Sequence, residues 1–86
     1  MSRQHHYLKI APKYFIEVDK GDRTFEVRYN DRNFQKYDIL HLQEYADGEY
    51  TGRNIDCEVT CILTDTTYCK EGYVIMAIKK LYEEDN

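Results

Sequence analysis

From Thr24 onward the chain alternates. Phe25, Val27 and Tyr29 fall on one side of a period of two and Glu26, Arg28 and Asn30 on the other, which predicts a strand over 24–30. The same period sets Leu8 and Ile10 opposite Tyr7 and Lys9 in "HYLKI" (6–10). In "DILHLQEYA" (38–46) it sets Leu40, Leu42 and Glu44 opposite Ile39, His41, Gln43 and Tyr45. "NIDCEVTCILT" (54–64) gathers Cys57, Val59, Cys61 and Leu63 on one face, and "YVIMAIKKL" (73–81) is apolar enough to be the best-buried strand. Only after "HYLKI" is the rhythm helical. Pro12 suits a first turn, Tyr14, Phe15 and Val18 form a one-sided stripe, and Gly21 is a natural C-terminal cap. A helix of about two turns is too short to stand alone, so it must pack on a sheet.

Turn residues separate these runs. "NDRNFQKYD" closes the strand at 30, with Phe34 anchoring that loop in the core; "DGEYTGR" (47–53) predicts a hairpin loop, and "DTTYCKEGY" another loop. The order is one strand, a helix, then four strands. That order excludes a doubly wound sheet and predicts a mainly β, α+β fold: a small mixed or antiparallel barrel plugged or capped by the helix. With 86 residues and no repeat or linker, residues 1–86 are expected to form a single domain.

Composition narrows the functions. The net charge is −4, which argues against a nonspecific duplex-DNA binder. The charge is uneven: residues 1–36 carry eight Lys or Arg against five Asp or Glu, and residues 37–86 carry four against eleven. Any anion-binding surface should draw on the first half. Three cysteines, no apolar run of membrane-spanning length and no leader-like N-terminus point to a reducing, cytoplasmic setting. Nine Tyr, three Phe and no Trp suggest tyrosines serving both core and rim.

No CxxC occurs, and His5, His6 and His41 stand at no ligand spacing, so neither a metal nor a cofactor is expected. Cys57 and Cys61 fit as small core hydrophobes. The concentrated chemistry is in "GDRTFEVRYNDRNF" (21–34). Glu26, Arg28 and Asn30 point one way from one strand, about 6.6 Å apart, and Arg23 just past the helix cap can lean over them. Such a row is either a solvated strand face or the wall of a pocket. Arg offers bidentate donors to phosphates, carboxylates or base edges, and Glu accepts from amines or hydroxyls.

At these residues the chain resembles a known family. "GDRTFEVR" is similar to the GxKxxExR signature of the ASCH (activating signal cointegrator homology) domains. "HYLKI", "PKYF", "DILHLQEY", "YTGR" and "GYVIMAI" follow in the order seen in the small bacterial and phage branch of that family, over residues 5–79. The resemblance implies a PUA-like, six-stranded barrel with a helix beside a cleft lined by the signature. Residue by residue, the Gly is Gly21, the Lys position holds Arg23, the Glu is Glu26 and the Arg is Arg28. Tyr37 stands before Asp38 where that branch usually has Gly.

The family's usual inference is RNA binding in RNA processing, modification or translation. On that expectation the partner is a nucleotide or a short single-stranded RNA. Arg23 and Arg28 would take phosphate or base edge, and Glu26, Asn30 and Gln43 the polar groups. Tyr45 or Tyr50 would stack, with Lys9, Lys13 and Arg53 widening the positive rim. An amidohydrolase acting on a modified nucleoside is the alternative. It is weakened here because Arg23 cannot give up a proton as Lys can. A protein–protein adaptor is the third reading, favoured if an exposed Tyr-rich patch lies away from the arginines.

Overall fold

The computed structural model describes residues 3–82. Six elements follow in chain order: β1 (His5–Ile10), α1 (Pro12–Asp19), β2 (Phe25–Tyr29), β3 (Ile39–Ala46), β4 (Glu49–Leu63) and β5 (Tyr73–Lys80). The strands form one sheet in the order β1-β3-β4-β5-β2, parallel between β1 and β3 and antiparallel elsewhere. The fold is mainly β with one short helix, a five-stranded sheet curled into a half-barrel. The sixth strand implied by the resemblance is not found among the described residues, because the chain between Leu63 and Tyr73 stays in turns.

The helix forms and stops as its sequence dictates. Pro12 occupies the first turn, and Phe15 and Val18, one turn apart, bury against the sheet. Gly21 takes φ +82°, so its N–H reaches the Val18 carbonyl at 3.0 Å while Asp22 N–H reaches Glu17 at 2.9 Å. This paired closure needs a left-handed residue. It turns the chain so that Arg23 leaves the helix pointing back towards the sheet.

The core runs through Leu8, Ile10, Phe34, Leu40, Leu42, Ile55, Val59, Val74, Met76 and Ile78, all on inward positions. At its edge a buried polar knot holds the start of β1 to β3. His6 Nε2 donates to Asp38 Oδ2 at 2.8 Å, and the backbone N–H groups of Gln35 and Gln4 also donate to that carboxylate. Burial opposes ionisation of Asp38, but these donors hold its carboxyl below the usual carboxylate range.

Two expectations along β4 are corrected. The hairpin loop expected over 47–53 is only Asp47 and Gly48, both at positive φ as an Asp-Gly turn requires, and the strand resumes at Glu49. Cys61 was expected to share a face with Cys57. Opposite the consecutive pair Ile78 and Ala77, however, β4 places Val59 and Cys61, so Thr60 is an extra, bulged residue. The slip turns Cys61 outward while Cys57 stays buried. The tyrosines are corrected too: seven of the nine are exposed and none joins the core.

Edge strands β1 and β2 meet where the curl brings them together, bridged by side chains. Arg28 Nη2 donates to the Lys9 carbonyl at 2.8 Å, and Arg32 Nη1 donates to the Tyr7 carbonyl at 2.9 Å. No helix among the described residues is long and apolar enough to cross a membrane.

Candidate functional site

Strand β2 is built inside out. Its apolar residues Phe25, Val27 and Tyr29 face outward and are 45%, 44% and 60% exposed, while Glu26 is buried and Arg28 half-buried on the inner face. A carboxylate on the inner face needs partners, because an unpaired buried charge is strongly disfavoured. Arg28 Nε supplies one, donating to Glu26 Oε2 at 2.5 Å. Arg23 supplies the other charge, with Nη2 3.6 Å from Glu26 Oε1. That is an ion pair, but too long for a hydrogen bond.

Two buried polar atoms are therefore left over. Neither Glu26 Oε1 nor Arg23 Nε has a hydrogen-bond partner. The Arg23 guanidinium is held in place by rings, with Tyr14 and Phe25 centroids 4.5 and 4.4 Å from its central carbon. Glu26, Arg23 and Tyr14 line a cleft of about 280 Å³ with Lys9, Ile10, Ala11, Val27 and Arg28. Beyond Arg28 along the seam lies a second cavity, of about 200 Å³, shared with Asp31, Arg32 and Phe34.

The other candidates from the sequence lie elsewhere. Asn30 turns to its own loop, where its side-chain oxygen accepts the Phe34 N–H at 3.1 Å. Lys9 gives the cleft its backbone, while its Nζ sits 4.2 Å from the Tyr45 ring on the outer face. Tyr45 donates its hydroxyl to the Gly48 carbonyl and packs edge-on against Tyr50. Gln43, in register with Lys9, belongs to that same outer face. Lys13 lies 5.2 Å from the Tyr14 ring, near the mouth of the cleft.

Arg53 forms a separate, closed constellation. Its Nε and Nη2 donate to both oxygens of buried Glu44 at 2.9 and 2.7 Å, and Thr51 Oγ1 donates to the same carboxylate at 2.7 Å. Arg53, then Thr51, outweigh burial and hold the Glu44 carboxyl below its ordinary range. The local cause is the backbone. Between Gln43 and Tyr45 on β3, β4 advances from Asn54 to Tyr50, and Gly52 at φ +94° absorbs the extra length. That bulge lets Thr51 and Arg53 both face Glu44. Sequence reasoning missed Glu44 and Tyr14: alternation placed Glu44 among apolar neighbours, and an acid on an apolar face was the available signal.

Known proteins add a family to this geometry. Residues 5–78 match the family described as "Domain of unknown function (DUF3850)". The chain is also 36% identical, over 76 residues, to an "Uncharacterized 12.9 kDa protein in GpA 3'region" of Escherichia phage P2. That alignment covers 88% of this chain and 69% of the phage protein. Neither description names an ASCH or PUA-like domain.

Proposed function

Because the chain belongs to the DUF3850 family of unknown function, we propose from its cleft that it binds RNA or a nucleotide, seating a base edge against Glu26 and Arg23. The observation that carries this reading is the pair of unpartnered buried atoms, Glu26 Oε1 and Arg23 Nε. Leaving such a group unsatisfied costs about 1–3 kcal/mol. A ligand with a donor beside an acceptor would relieve both atoms at once. Nucleobase edges carry that pairing, an exocyclic amine or ring N–H next to a carbonyl or ring nitrogen.

The surroundings support a short single strand. Tyr14 offers a ring at the cleft, Lys13 adds charge beside that ring, and the cavity beyond Arg28 continues the groove along the seam. The resemblance to the ASCH signature and a PUA-like reading of the curled sheet agree with this role in RNA processing, modification or translation. Binding is favoured over hydrolysis, because Arg stands at position 23 where the ASCH signature carries Lys, and a guanidinium does not serve as base or nucleophile as a lysine amine can.

Thermal unfolding against nucleosides, nucleotides and short RNA oligomers tests the reading on wild type and Glu26→Gln in parallel. Ligand at about 100 times its dissociation constant stabilises by roughly 2.7 kcal/mol, several degrees for a domain this small. The expected result is a shift with one base class in wild type that Glu26→Gln abolishes. No shift with any member of the panel would end the proposal.

A further inference from the structure

The outer face of the sheet beside β2 is apolar without interruption. Outward-facing residues pair across three adjacent strands: Phe25 with Ala77 and Cys61, Val27 with Ile75 and Leu63, and Tyr29 with Tyr73. No charged side chain interrupts these rows. Strand β5 is apolar on both sides, since Val74, Met76 and Ile78 bury inward while Tyr73, Ile75 and Ala77 stay partly open outward. Such a run belongs to strands covered on both faces. Here the fold covers one.

We infer that this face is an isologous interface, occupied by the same face of a second copy of the chain. Area is the first argument. Phe25, Val27, Tyr29 and Leu63 expose 45%, 44%, 60% and 38% of their surface. With their neighbours they make a patch of about 500 Å², at the upper end of what a lone monomer leaves open. Two such faces stacked as a sheet-on-sheet pair bury about 1,000 Å², the threshold for a specific interface.

Self-complementarity is the second argument. Along β2 the rows run aromatic, aliphatic, aromatic. A two-fold axis through the Val27–Ile75 row lays the Phe25 end of one copy over the Tyr29 end of the other. Charge does not oppose this pairing. Lys79 bounds the Phe25 end, where Glu58 is already held by Arg3 at 2.8 Å. At the other end Asp31 is paired with Arg32 at 4.0 Å, and Lys70 lies 5.3 Å from the Tyr73 ring. The paired rows carry no charged side chain, which spares two chains of net charge −4 a direct clash.

The test is sedimentation velocity over a concentration series from 1 to about 300 μM, at a contact area where weak dimers are expected. Wild type, Ile75→Lys and Leu63→Lys are compared, with circular dichroism as the check of folding. Cys61 gives a second reading in the wild type alone. It is the exposed thiol, at the edge of the patch, so its alkylation should slow at least tenfold as the dimer forms. A dimer in wild type, lost in either folded lysine variant, with Cys61 protected at high concentration, is the expected result. A wild type that stays monomeric throughout, or a dimer that survives both lysines with Cys61 fully reactive, overturns the inference. The first of those outcomes would leave the face to a different protein.

Discussion

Arg28 serves two partners from one guanidinium: Nε donates to Glu26 Oε2 on its own strand, and Nη2 donates to the Lys9 carbonyl across the seam. The residue that lines the cleft is thus also the residue that shuts the half-barrel. Arg28→Met should destabilise the protein by about 3 kcal/mol, because it leaves a buried carboxylate half paired. Adding Glu26→Gln should recover part of that loss. Urea unfolding of the two single variants and the double variant measures the coupling, and strictly additive effects would disprove it.

Tyr37 is held at φ 78°, a left-handed conformation unfavourable by about 1–2 kcal/mol for a residue with a Cβ. Its side chain is exposed, and its N–H is bonded to the Val59 carbonyl at 2.7 Å, which any residue could provide. Tyr37→Gly should therefore raise stability, by up to about 1 kcal/mol once the greater freedom of glycine in the unfolded chain is offset. A lower urea midpoint would show that the tyrosine ring contributes more than the strain removes.

Acid should unfold the protein through specific carboxyls. Asp38 and Glu44 are both held below their ordinary values of 3.8 and 4.5. A lowered folded pKa gives stability that is complete above the unfolded value and is lost as pH falls through the folded one. The urea midpoint should stay flat from pH 7 to about 5 and fall steeply below about 4.5. Asp38→Asn should start lower and show a shallower fall.

The thiols should separate cleanly. Burial pushes the Cys57 thiol up to about 12, and Cys69 is also buried, with its Sγ 3.2 Å from the Tyr73 carbonyl. In dilute native protein a thiol reagent should therefore label Cys61 alone, and all three cysteines only in denaturant. Mass spectrometry of the labelled peptides checks this. Rapid labelling of Cys57 would contradict the register assigned to β4.

How far the sequence could be read varied with the kind of information each feature needed. Period-two alternation located every strand of the sheet, and Pro12 and Gly21 bracketed the helix, because those signals are local. Alternation separated Glu26 and Arg28 from Phe25 and Val27 but could not say which side faced inward. That depends on β2 lying at the curled edge, where its polar side meets α1 and β1. The bulges at Thr60 and around Gly52 were equally hidden. A register slip exists only relative to a partner strand; the slip of one residue at Thr60 turned Cys61 outward, and the slip of two around Gly52 drew Arg53 to Glu44. Asn30 shared a strand face with Glu26 on paper, yet the chain leaves the strand there and its amide serves the loop.

The order in which the strands pair also bears on how the protein is made. Arg23, Glu26 and Arg28 all lie within the first third of the chain, yet the backbone of β2 pairs with β5, from Phe25 against Ala77 to Tyr29 against Tyr73. On a ribosome these residues emerge early and wait. Their strand has no neighbour until residues 73–80 have been synthesised, and closing so long a loop is slow compared with forming the adjacent β3–β4 hairpin. The cleft should therefore be the last part of the molecule to mature, and a chain stalled before β5 would display its arginines without the wall that organises them.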